Sequence, residues 1–137
     1  MPYQDAATTE RVLAAHTWAV VGLTNHEWRA AYGVAAFLQQ QGKRIVPVNP
    51  GAEPVHGEQG YAKLADIPFP VDVVDIFRRS EFAGAHVDEA IEIGAKAVWL
   101  QLGVIDEAAA ARAKDAGLDV VMDTCPKIEW PAYGPTR

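Results

Sequence analysis

Two features of this chain have residue types and a spacing that could support chemistry. They are a glycine turn and the basic side chains that follow apolar runs. Gly22 ends an apolar run that begins at Trp18, and a helical pattern starts near Arg29. A strand, a glycine turn and a helix N-terminus in this order favour phosphate, because backbone N–H groups and the helix dipole attract an anion. The turn is too long for the G-x-G-x-x-G dinucleotide fingerprint, so it predicts a phosphate-binding turn without identifying the ligand.

Three arginines are the candidate charge partners of a phosphate-bearing ligand. Arg78 and Arg79 follow the apolar run 71–77, and Arg29 begins the helix after the glycine turn. A guanidinium group binds phosphate oxygens through paired N–H donors. We expect at least one member of the Arg78–Arg79 pair to bind the ligand, and the pattern does not choose between them.

Other reactive residue types favour structure over catalysis. Asp72 and Asp75 lie three positions apart on a predicted strand, so they face opposite sides of the sheet, and Asp75 is expected to be a satisfied buried carboxylate. The four histidines are too scattered for a metal site, and none is predicted. Cys125 is interpreted as an inert, partly buried thiol, with a mixed disulfide with a thiol ligand as the alternative.

The elements that position these residues alternate between strands and helices. Strands are predicted at 17–23, 44–48, 71–77, 97–102 and 119–122, and helices at 5–15, 29–41, 81–93 and 107–116. This alternation is typical of a parallel sheet covered on both faces. We predict a Rossmann-like, doubly wound α/β fold with five strands in the order 3-2-1-4-5 and a switch point beside strand one.

The bulk composition limits the classes of function. The 137 residues predict one domain over 1–137, with a covering helix at about 5–15 and a Pro-rich tail over 127–137 that lies across the surface. A net charge of −6 argues against general binding to nucleic acid or acidic membranes. No apolar run is long enough to span a membrane, and we expect a soluble, cytoplasmic protein.

The carboxyl ends of the strands are where such a sheet binds ligands. An NAD site places Asp or Glu at the end of strand two, and an NADP site favours a nearby arginine. Here that position holds Val48, Asn49 and Pro50. The usual hydride-transfer cofactors are therefore disfavoured.

Five motifs, in order along the chain, resemble those of the small stand-alone CoA-binding protein family. They are GLTNHEWRAAYGV, VPVNPG, VDVVDIFRR, GAKAVWLQLGV and VVMDTCPKIE, and the resemblance covers about residues 12–130. That family is similar to the N-terminal CoA-binding domain of the succinyl-CoA synthetase α subunit. The resemblance implies that Gly22, Thr24 and Asn25 hold the pyrophosphate of CoA. It implies further that Val48, Asn49 and Pro50 border the adenosine part, and that Ile76, Phe77, Gln101 and Gly103 line the rest of the cleft.

We therefore predict a protein that binds CoA or an acyl-CoA, needs no metal and performs no chemistry alone. One alternative is an enzyme: an NAD(P)-linked oxidoreductase, or a CoA ligase or transferase component that needs a partner chain. Another is a regulatory module that senses acyl-CoA and signals to a protein partner.

Overall fold

A computed structural model describes residues 3–135 and contains five strands and five α-helices in that range. In chain order they are α1 (Ala6–Leu13), β1 (Thr17–Val21), α2 (Ala30–Gln40), β2 (Arg44–Val48), β3 (Val73–Ile76), α3 (Ser80–Glu92), β4 (Ala97–Leu100), α4 (Glu107–Asp115), β5 (Asp119–Met122) and α5 (Pro126–Tyr133). A short 3-10 helix, Leu64–Asp66, interrupts the long connection between β2 and β3. Within residues 3–135 no helix has the length and apolar character needed to cross a bilayer.

The strands form one parallel sheet that is covered on both faces. Alternate side chains of each strand enter two separate cores. Trp18, Val20 and Trp99 pack on the face covered by α1, α2 and α5. Val21 and Leu100 pack on the face covered by α3 and α4. The α/β Rossmann-like class predicted from the alternating pattern is confirmed.

The strand order is β2-β1-β3-β4-β5, so β3 lies between β1 and β4. The predicted order 3-2-1-4-5 had placed the third strand at the edge beside β2, and this placement is wrong for β3. A single parallel bridge between Val48 and Tyr61 occupies that edge instead, with the Tyr61 N–H donating to Pro47 O at 3.0 Å. If the segment at Tyr61 is counted as a rudimentary third strand, then β3, β4 and β5 become the fourth, fifth and sixth strands. The order is then 3-2-1-4-5-6, which is the predicted order with one further strand. The switch point therefore lies beside β1, as predicted.

Both edges of the sheet are occupied by other backbone. On β2, Pro47 turns its nitrogen outward, and a proline nitrogen has no hydrogen to donate. On β5, the Met122 N–H donates to Tyr3 O at 3.1 Å, and the Gln4 amide donates to Met122 O at 2.8 Å.

The predicted Pro-rich tail is instead mostly helix α5. Pro126 occupies the first helical position, where its missing N–H costs nothing. Pro131 lies inside the helix, and packing of α5 on α1 and α2 offsets its effect. The ring of Trp130 meets Phe37 edge-on at 5.7 Å between centroids, with the Lys43 ammonium 5.5 Å from the Trp130 ring. Residues 136–137 of the predicted tail lie outside the described residues.

Candidate functional site

Two cavities open at the carboxyl edge of the sheet, where a parallel α/β fold binds ligands. One, of about 570 Å³, lies beside the end of β2 and is called the β2-side cavity. The other, of about 680 Å³, lies beside the ends of β4 and β5 and is called the β5-side cavity. Their shared lining residues are Gly22, Arg29, Phe77, Arg78 and Arg79. The two cavities are therefore parts of one cleft that crosses the switch point.

Gly22 lies where the two cavities meet, and only glycine fits there. Its φ is +94°, and a Cβ at this position would lie 2.5 Å from Phe77 O. Its N–H donates to Val48 O at 2.9 Å, and the Phe77 N–H donates to Val21 O at 2.9 Å. The glycine thus lets the backbones that leave β1 and β3 pass in close contact, and it leaves the floor of the cleft without a side chain.

The loop that follows Gly22 uses its polar side chains partly for its own structure. Thr24 lines the β2-side cavity, and its hydroxyl accepts a hydrogen bond from the His26 N–H at 3.3 Å. The Asn25 amide donates to Pro54 O at 2.9 Å and to a Glu53 carboxylate oxygen at 3.3 Å. The Asn25 side chain, predicted to hold pyrophosphate, is absent from the lining of both cavities and ties the turn to the loop after β2.

The three residues at the end of β2 line the β2-side cavity together: they are Val48, Asn49 and Pro50. Asn49 is buried, and its amide donates to Leu23 O at 3.0 Å while its Oδ1 accepts from the Glu53 N–H at 2.8 Å. With its amide engaged in this way, Asn49 shapes the wall of the cavity.

Arg78 is oriented by a chain of side-chain contacts, whereas the adjacent Arg79 is mostly exposed. Its Nη1 lies 3.4 Å from His86 Nε2, and His86 Nδ1 lies 2.7 Å from a Glu89 carboxylate oxygen. With Arg78 donating to Nε2, the histidine donates its Nδ1–H to Glu89, so a chain of three side chains orients the guanidinium group. The Arg79 side chain is 75% exposed, with a 3.7 Å ion pair to Glu81 and its guanidinium group 5.2 Å from the Phe82 ring centroid.

His86 is a residue of the cleft that the sequence analysis missed. It lines the β2-side cavity from α3, with Phe82 one turn earlier on the same helix. The i, i+3 spacing of His86 and Glu89 was the available signal, since such residues are neighbours on a helix surface.

Three helices begin at the β5-side cavity without a side-chain cap. The N-cap residues of α2, α3 and α5 are Arg29, Arg79 and Cys125, all of which line this cavity and none of which caps through its side chain. By contrast, Asp5 caps α1 and Asp106 caps α4, each by accepting a backbone N–H. The first N–H groups of an uncapped helix lack intrahelical partners and attract negative charge. The cleft therefore collects the positive ends of three helices.

The ends of β4 and β5 supply the far wall of the β5-side cavity. Gln101 and Gly103 both line it, as predicted sites of the cleft. The Gly103 N–H donates to Asp123 Oδ1 at 2.8 Å, which fixes the turn after β4. Gln101 is 5% exposed, and its Oε1 has no hydrogen-bond partner among the described residues. Ile76, predicted to line the cleft, is fully buried in the core under α3 and α4, because its place on β3 turns the side chain inward.

Asp75 is fully buried on β3, beside Val20 and Trp99 in the sheet register. Neither carboxylate oxygen has a hydrogen-bond partner among the described residues, so the expectation of a satisfied carboxylate is wrong. Burial raises the pKa of Asp75 well above its ordinary value. Its side chain does not line either cavity.

The remaining reactive residues near the cleft have structural partners. The Thr124 hydroxyl donates to Glu129 at 2.6 Å, and Asp123 is engaged by Gly103. Cys125 lines the β5-side cavity but is 9% exposed. In the part of the chain described, no group of three His, Cys, Asp or Glu side chains could hold a metal ion.

Comparison with known proteins finds relatives over most of the chain. Residues 16–131 match the family model described as a CoA binding domain. YneT of Bacillus subtilis, an uncharacterized protein, is 36% identical over 110 residues, covering 80% of this chain and 82% of YneT. A hypothetical protein from Pyrococcus horikoshii has a structure with a TM-score of 0.88 at 32% identity, covering 94% of this chain and 92% of its own.

A larger protein contains the same fold. The dinucleotide-forming acetyl-coenzyme A synthetase 1 of Candidatus Korarchaeum cryptofilum, solved with phosphate and ADP, matches with a TM-score of 0.75 at 24% identity. The match covers 83% of this chain and 27% of the synthetase chain.

Proposed function

The chain belongs to the CoA-binding domain family, and we propose that it binds CoA or an acyl-CoA across the two joined cavities without catalysing a reaction alone. CoA combines an adenosine with a 3′-phosphate, a pyrophosphate and a pantetheine arm. A binding site must therefore offer positive charge at two places and an uncharged path for the arm.

The observation that carries this proposal is the concentration of positive charge where the cavities meet. Arg29, Arg78 and Arg79 line both cavities, and two of them begin helices without a side-chain cap. This concentration occurs in a chain whose net charge is −6. Charge-assisted hydrogen bonds from guanidinium groups and helix N-termini are strong phosphate contacts. The pyrophosphate would lie over Gly22, where no side chain blocks its approach.

The lining of each cavity supports a direction for the ligand. The β2-side cavity has apolar walls from Val48, Pro50 and Phe82, which suit an adenine ring, with Arg78 near them for the 3′-phosphate. The β5-side cavity is mostly apolar beyond the shared arginines. There the Oε1 of Gln101, which has no partner within residues 3–135, could accept an amide N–H of pantetheine, since a buried acceptor without a donor is costly.

The absence of catalysis is proposed because the acid–base candidates near the cleft are engaged elsewhere or buried. Asp75 lies outside both cavities, and Asp123 and Glu129 accept structural hydrogen bonds. His86 is held between Arg78 and Glu89. An NAD site is disfavoured, because Val48, Asn49 and Pro50 put no carboxylate at the end of β2.

The test is calorimetric titration of the purified protein with CoA, dephospho-CoA, NAD and NADP. We expect binding of CoA, weaker binding of dephospho-CoA, and no comparable binding of NAD or NADP. Binding of NAD or NADP without CoA would refute the proposal, and so would the absence of any CoA binding.

Two matched variants sharpen the test. Arg78→Gln should weaken CoA binding roughly ten- to a hundred-fold and dephospho-CoA binding much less, because a charged phosphate contact contributes about 1.5–3 kcal/mol. Arg79→Gln removes the same charge from an exposed side chain and should have a smaller effect on the difference between the two ligands. If Arg78→Gln reduced the affinity for CoA and for dephospho-CoA by the same factor, Arg78 would not be a contact of the 3′-phosphate.

A further inference from the structure

Three large apolar side chains lie exposed around one cavity, although the ring of one of them, Trp28, lies 4.8 Å from the His26 ring between centroids. Trp28 is 81% exposed, Leu102 is 62% exposed and Ile128 is 58% exposed. They come from three separate segments: the turn after β1, the turn after β4, and helix α5. All three line the β5-side cavity, and together they are called the apolar rim.

The other exposed large apolar residues of the described chain behave differently. Phe82 lies beneath the guanidinium groups of Arg78 and Arg79, at 5.1 and 5.2 Å from its ring centroid. Ile105 is 43% exposed and does not line the cavity. The apolar rim is therefore a group that converges on one place, and a convergent apolar patch marks a binding site more often than scattered residues do.

The floor beneath the rim is also apolar. Ala31 and Val104 are buried there. The uncharged polar groups of the lining side chains are the Gln101 amide, the Cys125 thiol and the indole N–H of Trp28. The charged groups of this cavity are the arginines that it shares with the β2-side cavity. Positive charge thus lies where the two cavities meet, and the apolar rim borders only the β5-side cavity.

We propose that the apolar rim binds the hydrocarbon chain of a medium-chain acyl-CoA, so that the preferred ligand is an acyl thioester rather than free CoA. This inference rests on the proposed function, because the phosphate end of the ligand must already lie over Gly22. Pantetheine carries two amides along its length and ends in a thiol, so without an acyl group its polar arm and thiol would leave much of the rim in contact with water. A hydrocarbon chain attached to that sulfur would cover Trp28, Leu102 and Ile128 and release the water around them.

Continuity of the cleft favours an acyl chain over a protein partner as the occupant. The rim borders a cavity of about 680 Å³ that is joined to the phosphate end through Gly22 and Phe77. A concave, mostly apolar cavity with few polar groups is typical of a small-molecule site.

The test compares the Kd values of CoA, acetyl-CoA and octanoyl-CoA by calorimetry at concentrations where octanoyl-CoA forms no micelles. A fully buried methylene strengthens binding about four-fold, so partial burial in an open rim should make octanoyl-CoA bind roughly 100-fold tighter than acetyl-CoA. Ile128→Ser should reduce this acetyl-to-octanoyl ratio roughly three- to ten-fold. Circular dichroism checks that each variant is folded.

Ile105→Ser is the matched control, since it makes the same change at an exposed isoleucine outside the cavity, and it should leave the ratio unchanged. Equal affinity of the unaltered protein for all three CoA compounds would overturn the inference while leaving the proposed function intact. A ratio that falls equally in Ile105→Ser and Ile128→Ser would also overturn it. Failure to bind any CoA compound would refute the proposed function, and the inference with it.

Discussion

Replacing Asp75 with asparagine should stabilise the protein, and the gain should increase as the pH rises from 4 toward neutrality. Asparagine reproduces the shape of the protonated acid but does not ionise. The carboxyl group of Asp75 is fully buried without a partner among the described residues, and burial raises its pKa well above the ordinary value.

The sign and size of the effect follow from proton linkage. In the unfolded chain Asp75 should titrate near its reference pKa of about 3.9. Above that pH the unfolded state loses its proton while the folded state keeps it. The stability that the raised pKa contributes is therefore complete below about pH 4 and is lost as the pH rises through the folded pKa. The loss is about 1.4 kcal/mol per pH unit for as long as the pH lies between the two values.

Urea unfolding at several pH values between 4 and 8 measures this effect. We expect the free energy of unfolding of Asp75→Asn, minus that of the unaltered protein, to grow by about 1 kcal/mol between pH 4 and pH 5. The pH at which the difference becomes constant would give the pKa of Asp75 in the folded protein. A difference that stays the same across this range would refute the reasoning, because it would mean that Asp75 titrates alike in both states.

Asp72→Asn is the matched control for this experiment. Burial raises the pKa of Asp72, but its hydrogen bond from the Thr17 N–H and the nearby Lys96 ammonium outweigh burial, and the pKa is lowered. A lowered pKa contributes stability that is present above the unfolded pKa and is lost as the pH falls. The difference between Asp72→Asn and the unaltered protein should therefore change little above pH 5.

Two further substitutions separate the cleft from the rest of the fold. Gly22→Val should abolish CoA binding and also lower the stability by several kcal/mol, because the valine Cβ would lie 2.5 Å from Phe77 O at a φ of +94°. Thermal unfolding measures the stability and calorimetry measures the affinity. Unchanged affinity would show that the turn is not part of the binding site. Asp106→Ala removes the cap that accepts the Ala109 N–H, so it should cost about 1 kcal/mol in urea unfolding while CoA affinity stays the same. A loss of affinity in Asp106→Ala would show that α4 matters to the cleft.

The elements of the fold could be predicted from local sequence because each has a local cause. Asp106 caps the start of α4, and Gly117, with a φ of +92°, lies just after its end. Both ends of that helix therefore have a signal in the sequence. The order of the strands has no such cause. The bridge at Tyr61 takes the edge beside β2, and nothing in a single irregular segment such as 52–70 indicates this.

The position of the cleft could be predicted from the sequence, whereas the contacts of its individual side chains could be predicted only in part. The switch-point rule brought Gly22, Val48 and Gly103 to one edge of the sheet, and the structure agrees. It could not show that the Asn25 amide reaches Pro54 across the loop, or that no described residue is a hydrogen-bond partner of Asp75, because both depend on contacts between distant segments. Helix α5 could not be predicted, because its proline content argues against a helix and the packing of Trp130 on Phe37 is not visible in the sequence.

The covered edges of the sheet bear on how the protein behaves at high concentration. An open strand edge offers unpaired N–H and C=O groups to another molecule, and edge-to-edge pairing is a common start of aggregation. Here Tyr3 and Gln4 shield β5, as the Pro47–Tyr61 pairing shields β2. Tyr3 and Gln4 thus occupy the edge through which β5 could pair with another molecule, and removing these two residues would expose it.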